Sequence, residues 1–316
     1  MCACCLEDQT ATEVEKPLAE PQLSLLIPYG KGGGSHQACT ALALALRETQ
    51  AMETALINHE GGEGAEALLH YLQLPPDGTM VLQHIDDLIA IGERRELDLT
   101  SQLRPLAILQ TTFSQVYVNN LENRFGDWTS FLRFTRANPG SVRVALVGSP
   151  MANEGLYLSA LEHLLSIDVV RVAFDRPMDR YMALVRGEVD ALIEQPGDLR
   201  NFLENELIRP IFSFLPQPHP DYPDTASLAD LPGEVPFLPR FRALFVHADT
   251  PEPIRLSLAR AVDTAQRHPS FREFNRSRAM DLIQVSRAGD GPQRFFQQTL
   301  STYRQLVAAS NPEPTP

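Results

Sequence analysis

The residues with the clearest chemical meaning stand together near the start of the chain: Tyr29, Gly30, Lys31, Gly32, Gly33, Gly34, Ser35 and His36. Consecutive glycines let a backbone reach φ > 0 and approach a ligand with no Cβ in the way. An apolar run over 23–28 precedes this loop, and an Ala- and Leu-rich stretch after it predicts a helix over 35–50. A strand, a glycine turn and a helix N-terminus in that order gather backbone N–H groups and the positive end of a helix dipole at one point, which is a seat for an anion. Lys31 and His36 add positive charge beside it. The order is wrong for a nucleotide phosphate loop, where Lys follows the glycines and directly precedes Ser or Thr, whereas Lys31 precedes Gly32. The G-x-G-x-x-G dinucleotide fingerprint is missing too, and no ribose-binding acid ends the second strand.

The elements that must position this loop alternate. Strands are expected over 54–58 and 79–83, separated by a second glycine turn (His59-Glu60-Gly61-Gly62-Glu63-Gly64), a helix over 65–74 and the turn Pro75-Pro76-Asp77-Gly78. The theme then repeats. A strand over 115–118 leads to a helix over 127–137, stopped by Asn138-Pro139-Gly140, and a strand over 143–147 delivers Gly148-Ser149-Pro150 into a helix starting near Asn153. Further strands are expected over 169–174, 190–193 and 208–214, with a helix over 178–186; a proline-rich loop over 216–239 precedes a strand over 241–247 and a long helix over 252–267. This alternation predicts an α/β fold in two halves, each a mostly parallel sheet flanked by helices. On this reading the first three strands each carry a histidine beyond their C-terminal end, His36, His59 and His84. Ligands of open α/β sheets sit at that edge. The three are expected to line one cleft wall and lend it a pH-dependent positive charge; a metal held by the trio is a sharper version of the same idea, without a local metal-binding spacing behind it.

With 316 residues the chain has room for two domains, each with a core of its own. The 27 Lys and Arg against 40 Asp and Glu give a net charge of −13, which argues against nucleic acid and anionic membrane surfaces as partners. No apolar run approaches the roughly 18 residues of a membrane span. Cys39, alone inside the first helix, reads as a small buried hydrophobe. Cys2, Cys4 and Cys5 are followed by a polar, acidic stretch, and 1–21 is expected to be a disordered extension, as is the proline-rich 311–316. A terminal cysteine on a flexible tether resembles a processed lipoprotein, although no charged and apolar leader segments precede it. Val147-Gly148-Ser149-Pro150 does not make the G-x-S-x-G elbow of a serine hydrolase, and Asp86-Asp87 reads as a solvated helix start. Without a base held by a third group, no enzyme and no cofactor are expected.

Ile27-Pro28-Tyr29-Gly30-Lys31-Gly32-Gly33-Gly34-Ser35-His36 resembles the opening of the tripartite tricarboxylate transporter substrate-binding proteins, the Bug family, which read V-P-F-x-x-G-G-G-T/S-D. Asn58-His59-Glu60-Gly61-Gly62-Glu63-Gly64 and Pro76-Asp77-Gly78 follow in register with the family's N-R-P-G-x-G-G and P-D-G. Ala137-Asn138-Pro139-Gly140, Arg186-Gly187-Glu188-Val189-Asp190 and Thr250-Pro251 resemble its A-N-P-G, G-G-x-V-D and G-T-P. The resemblance covers roughly residues 22–285. It implies a two-lobed flytrap fold, with 22–114 and 236–310 as one lobe and 115–235 as the other, closing by a hinge on a ligand held between them. It also implies a periplasmic, monomeric protein that takes up a small organic acid and hands it to membrane transporter subunits. A ligand-sensing module that docks on a receptor stands as the alternative. Matching positions put Tyr29, Gly32, Gly33, Gly34 and Ser35 in the first lip of the site, Gly61 and Gly64 in the second, Ser149 and Asn153 at the facing helix start, and Phe174 and Arg176 in the family's Y-K-G turn. Departures fall at Lys31, His36, His59 and Glu60, and together with His84 the cationic ones are expected to favour a more highly charged acid.

Overall fold

The computed structural model describes residues 23–146, 149–174, 176–283, 285 and 289–310. The expected extension 1–21, the tail 311–316, and Val147, Gly148 and Asp175 lie outside the described residues. The chain opens with β1 (Leu23–Ile27), α1 (Gly34–Gln50), β2 (Thr54–Asn58), α2 (Ala65–Tyr71), β3 (Met80–Ile85) and α3 (Asp87–Arg94). A short α4 (Leu99–Gln102) leads into β4 (Leu103–Thr112) and then β5 (Gln115–Asn119). Next come α5 (Trp128–Ala137), β6 (Arg143–Leu146), α6 (Asn153–Leu165), β7 (Val170–Ala173), α7 (Pro177–Val185), β8 (Ala191–Glu194), α8 (Arg200–Glu204) and β9 (Ile208–Ser213). β10 (Arg240–His247), α9 (Glu252–Arg267), α10 (Pro269–Arg276) and α11 (Gly291–Ser310) complete it.

Two five-stranded sheets result, in the orders β2-β1-β3-β10-β4 and β7-β6-β8-β5-β9. Strands expected to be parallel are so: β1 with β2 and β3, and β6 with β7 and β8. Each sheet is mostly parallel, as expected, with one reversed strand apiece: β10 runs antiparallel to β3 and β4, and β5 antiparallel to β8 and β9. The chain passes between the sheets twice in the described residues, from β4 to β5 and from β9 to β10, and each crossing delivers a strand that enters its new sheet reversed. Pairing with β10 also lengthens β3. His84 stands opposite Ala243 inside the strand, not beyond its end as its sequence position suggested.

Local chemistry explains the element ends. Asp127 caps α5, its Oδ1 accepting from the Ser130 N–H at 2.8 Å, and Ser130 returns the bond to the Asp127 backbone as a capping box. α1 begins at Gly33 without any side-chain cap or first-turn acid and ends where Ala51 turns left-handed at φ 51°. One face of the first sheet buries Leu25, Ile27 and Val81 against Leu42 and Leu46 of α1 and Val262 of α9. Cys39 is fully buried in that layer, where burial lifts its thiol to about 12 and leaves it inert. The other face continues into an apolar cluster that runs through Phe245 and Phe296 to Leu156 and Val144 of the second sheet. α11 carries this continuity: it packs on both β4 and α6, and Tyr303 donates to the Met151 carbonyl at 2.9 Å.

Candidate functional site

Tyr29 follows β1 and is pinned by the chain around it. Asn58 Nδ2 donates to the Tyr29 carbonyl at 2.5 Å, and the Tyr29 ring meets His84 edge-on with centroids 5.9 Å apart. Gly64, at φ +99°, closes over both, since a Cβ there would stand 3.0 Å from His84 Nε2 and 3.2 Å from the Tyr29 hydroxyl. Tyr29, half-buried, thus packs with the buried Gly64 and His84 as one group. His84 does not serve as a cation within it. Burial pushes its pKa down to about 4, against weak support from the Gly64 and Ile85 carbonyls, so the ring is neutral at physiological pH.

Of the three histidines expected to charge one wall, His84 is buried and neutral. His59 lies beside His70, ring centroids 5.0 Å apart, and His36 sits in the first turn of α1 with Nδ1 buried and unpartnered. Among the described residues no three His, Cys, Asp or Glu side chains are grouped as a metal would require. Lys31 is exposed. In the second sheet, Asn153 is buried at the start of α6, where its Nδ2 donates to the Leu238 carbonyl at 3.3 Å. The buried Ser149 Oγ has no hydrogen-bond partner among the described residues. Phe174 is half-buried, and Arg176 is 77% exposed and paired with Asp179.

The positive charge comes from residues that sequence reasoning passed over. Arg240 and Arg242 alternate along β10 and so project from one face of it, both buried. Arg242 reaches the glycine loop. A Cβ on Gly34 would stand 2.3 Å from Arg242 Nη2, so glycine at this position is what admits the guanidinium to the first turn of α1. Arg242 Nη1 is steadied by donating to Gln110 Oε1 at 3.0 Å, and Gln110 is itself held by Asn275 at 2.8 Å. Gln37 ties the loop to the helix, its Nε2 donating to the Gly32 carbonyl at 2.8 Å. The N–H groups of Gly34, Ser35 and His36 have no acceptor within the helix. A guanidinium and a helix N-terminus therefore meet at one point, a chemistry suited to a carboxylate.

Arg240 heads a second arrangement. Its Nη1 lies 2.7 Å from Glu154 Oε1, and its Nε 3.2 Å from Asp86 Oδ2. Glu154 Oε2 then meets Arg180 Nη1 at 3.1 Å, and Arg180 also pairs with Glu194, which accepts from the Tyr181 hydroxyl at 2.8 Å. Arg180 lies one helical turn beyond Arg176, and its side chain is 1% exposed. Burial works against the Arg240 charge, but Asp86 and Glu154 more than compensate and hold its pKa raised. Asp87, at the start of α3, has no such partner of its own. Burial and the neighbouring Asp86 lift its pKa to about 7, the reverse of the solvated helix start expected of this pair. The legible trace of both arginines was an Arg-x-Arg pair inside an otherwise apolar strand, Arg240-Phe241-Arg242-Ala243-Leu244-Phe245. Charges at alternate positions of a buried strand need partners.

No family model matches the chain. It is 21% identical over 298 residues to the UPF0065 protein in the tcbD-tcbE intergenic region of Pseudomonas sp. (strain P51), covering 90% of this chain and 85% of that protein. In structure it is similar to MatC (Rpa3494) from Rhodopseudomonas palustris, solved with bound malate, with a TM-score of 0.77 at 20% identity over 93% of this chain and all of that one. It is also similar to the periplasmic binding protein BugD, with a TM-score of 0.76 at 15% identity over 92% of this chain and 98% of the other. The chain has the two-lobed fold of the Bug-type binding proteins. In this chain the glycine loop meets β10 at Gly34 and Arg242, and the start of α6 meets it at Glu154 and Arg240.

Proposed function

We propose that this chain is a divergent, extracytoplasmic solute-binding protein that captures a small organic acid between its lobes and delivers it to the membrane subunits of a tripartite tricarboxylate-type transporter. On this reading the lobes divide into 22–114 with 236–310 and 115–235, and the protein works as a monomer in the periplasm with no catalytic step. One observation carries the proposal: Arg242 lies against Gly34 at an uncapped helix N-terminus. A ligand carboxylate there would accept from both the guanidinium and the backbone N–H groups, which is a stronger set than either alone. The two glycine turns with Tyr29 form the lip around it, and Ser149 with Asn153 the facing wall. The malate in MatC, a protein of the same fold, supports the choice of ligand class. Lys31, His36 and His59 are assigned to the solvent side of this seat, as contacts for a second acidic group, while His84 backs Tyr29, and Phe174 and Arg176 belong to the facing lobe.

Titration calorimetry against malate, succinate, adipate and citrate tests the reading. At least one acid is expected to bind at micromolar concentration or below, with a loss of about 10- to 100-fold in Arg242→Ala, the scale of a charged hydrogen-bond pair. If every acid fails to bind, or if Arg242→Ala binds as well as the parent, the seat is misassigned.

A further inference from the structure

The seat at α1 already faces a carboxylate, and it belongs to the opposite sheet. Asp198 follows β8 on the turn Pro196-Gly197-Asp198, and its Oδ2 lies 3.5 Å from Arg242 Nη2. Its Oδ1 stands 3.4 Å from where a Cβ on Gly34 would be. We propose that Asp198 is a built-in competitor for the ligand carboxylate: it holds Arg242 across the seam and must be displaced by the acid that binds. The inference rests on the reading of Arg242 and α1 as the ligand's carboxylate seat.

The geometry of the two interlobe ion pairs supports displacement at this one and not at the other. Arg240 and Glu154 meet at 2.7 Å with side chains 6% and 1% exposed, a tight and fully enclosed pair. Asp198 is 26% exposed, and its 3.5 Å contact is well outside the roughly 2.7–2.9 Å of a good charge-assisted hydrogen bond. Arg242 Nη1 also makes a long contact to Met280 Sδ at 3.4 Å, and Nε, in a side chain only 8% exposed, has no hydrogen-bond partner among the described residues. A guanidinium offers five N–H donors in a planar fork. Here that fork is underused, and a carboxylate free to approach it squarely would make shorter bonds than Asp198 does from its tether. Once displaced, Asp198 keeps one partner in its own lobe, since Gln195 Nε2 donates to its Oδ2 at 2.8 Å. The competitor is therefore weak by construction and has somewhere to go.

Rescue by acetate tests this without knowledge of the natural ligand. In Asp198→Ala the seat loses its tethered carboxylate, and millimolar acetate is expected to raise Tm with a saturable dependence. The same acetate titration should leave the parent protein and the Asp198→Ala/Arg242→Ala double variant unmoved beyond a common salt effect. Equal responses in all three proteins, or none in Asp198→Ala, would overturn the proposal. Asp198→Asn keeps the shape of the side chain and guards against a folding failure. It is expected to bind malate about tenfold more tightly than the parent, or acetate where malate does not bind, by release of one charged contact. Unchanged or weaker binding in Asp198→Asn would equally refute it. Acetate rescue in a protein that takes up none of the four acids would sink the solute-binding reading while leaving Asp198 in its role. Acid binding indifferent to Asp198→Asn would do the opposite.

Discussion

Two helix N-termini meet β10, and they are built in opposite ways. α1 starts from Gly33 with no capping side chain and no acid in its first turn, and Arg242 lies against Gly34. α6 starts from Ala152 and carries its own acid, Glu154, which takes Arg240 with one oxygen and Arg180 with the other. The same dipole is thus answered from within the chain at α6 and left to a partner from elsewhere at α1. The difference teaches which of the two is structural. A buried carboxylate shared by two arginines is a joint between the sheets; a glycine-lined helix end beside a guanidinium is, on the proposed function, the place that receives the acid.

Removing Glu154 should give the largest effect. Glu154→Ala takes one carboxylate from two buried guanidinium groups, leaving Arg240 to Asp86 and Arg180 to Glu194, and urea denaturation is expected to show a loss of about 3 kcal/mol, the low end of the cost of breaking a buried ion pair from one side. Gly34→Ala attacks the other helix. Its Cβ would collide with Arg242 Nη2, and acid binding is expected to weaken about tenfold through the loss of one charged contact while Tm changes little. A comparable loss of stability in both variants would erase the distinction between joint and seat.

The two buried titrating groups sharpen the contrast between structural and receptive ends through pH. Asp87 has a folded pKa of about 7, above its ordinary 3.8, so the folded state holds a proton that the unfolded chain has given up. Its cost is absent at low pH, grows as pH rises from 3.8 and is complete above about 7. Asp87→Asn should accordingly raise Tm at pH 8 and leave it near the parent value at pH 4. His84 has the opposite sign. Its folded pKa of about 4 lies below the ordinary 6.5, so its contribution is full above 6.5 and is lost as pH falls toward 4. In Tm profiles of His84→Gln, the acid-side slope between those values should flatten; a profile parallel to the parent's would mean that the ring titrates normally. The smallest effect is expected at Lys31. It is exposed on the loop, and Lys31→Ala should change acid affinity by about twofold or less at physiological salt, as solvent-screened charges do.

Much of the fold was legible because the information was local. Glycine turns, Asn-Pro-Gly stops and alternating apolar runs place β1, β2, β6 and α9 within a residue or so of their expected spans. The misses share a cause. β4 and the extended end of β3 exist through pairing with β10, more than a hundred residues away in sequence, and no short window contains that partner. Among site residues, Tyr29, Gly64 and His84 came together because they sit on neighbouring parallel strands and their turns. Arg176 is exposed and pairs with Asp179. Arg180, one turn further along α7, is the buried one, and the side of the helix that faces the second sheet is decided by packing alone.

The amino-acid sequence determined that this chain would be an α/β protein with a glycine-rich helix start suited to an anion, since strand, turn and dipole are properties of consecutive residues. Where the countercharge comes from was decided only in three dimensions. Lys31 and His36 are adjacent in sequence to the loop, but Arg242 is adjacent in space, carried there by a strand that re-enters the first sheet after the chain has built the second. The same re-entry brings Asp198 to Gly34 and Glu154 to Arg240. Burial then makes those few contacts dominate, because a charge removed from water must find its partner wherever the fold has put it.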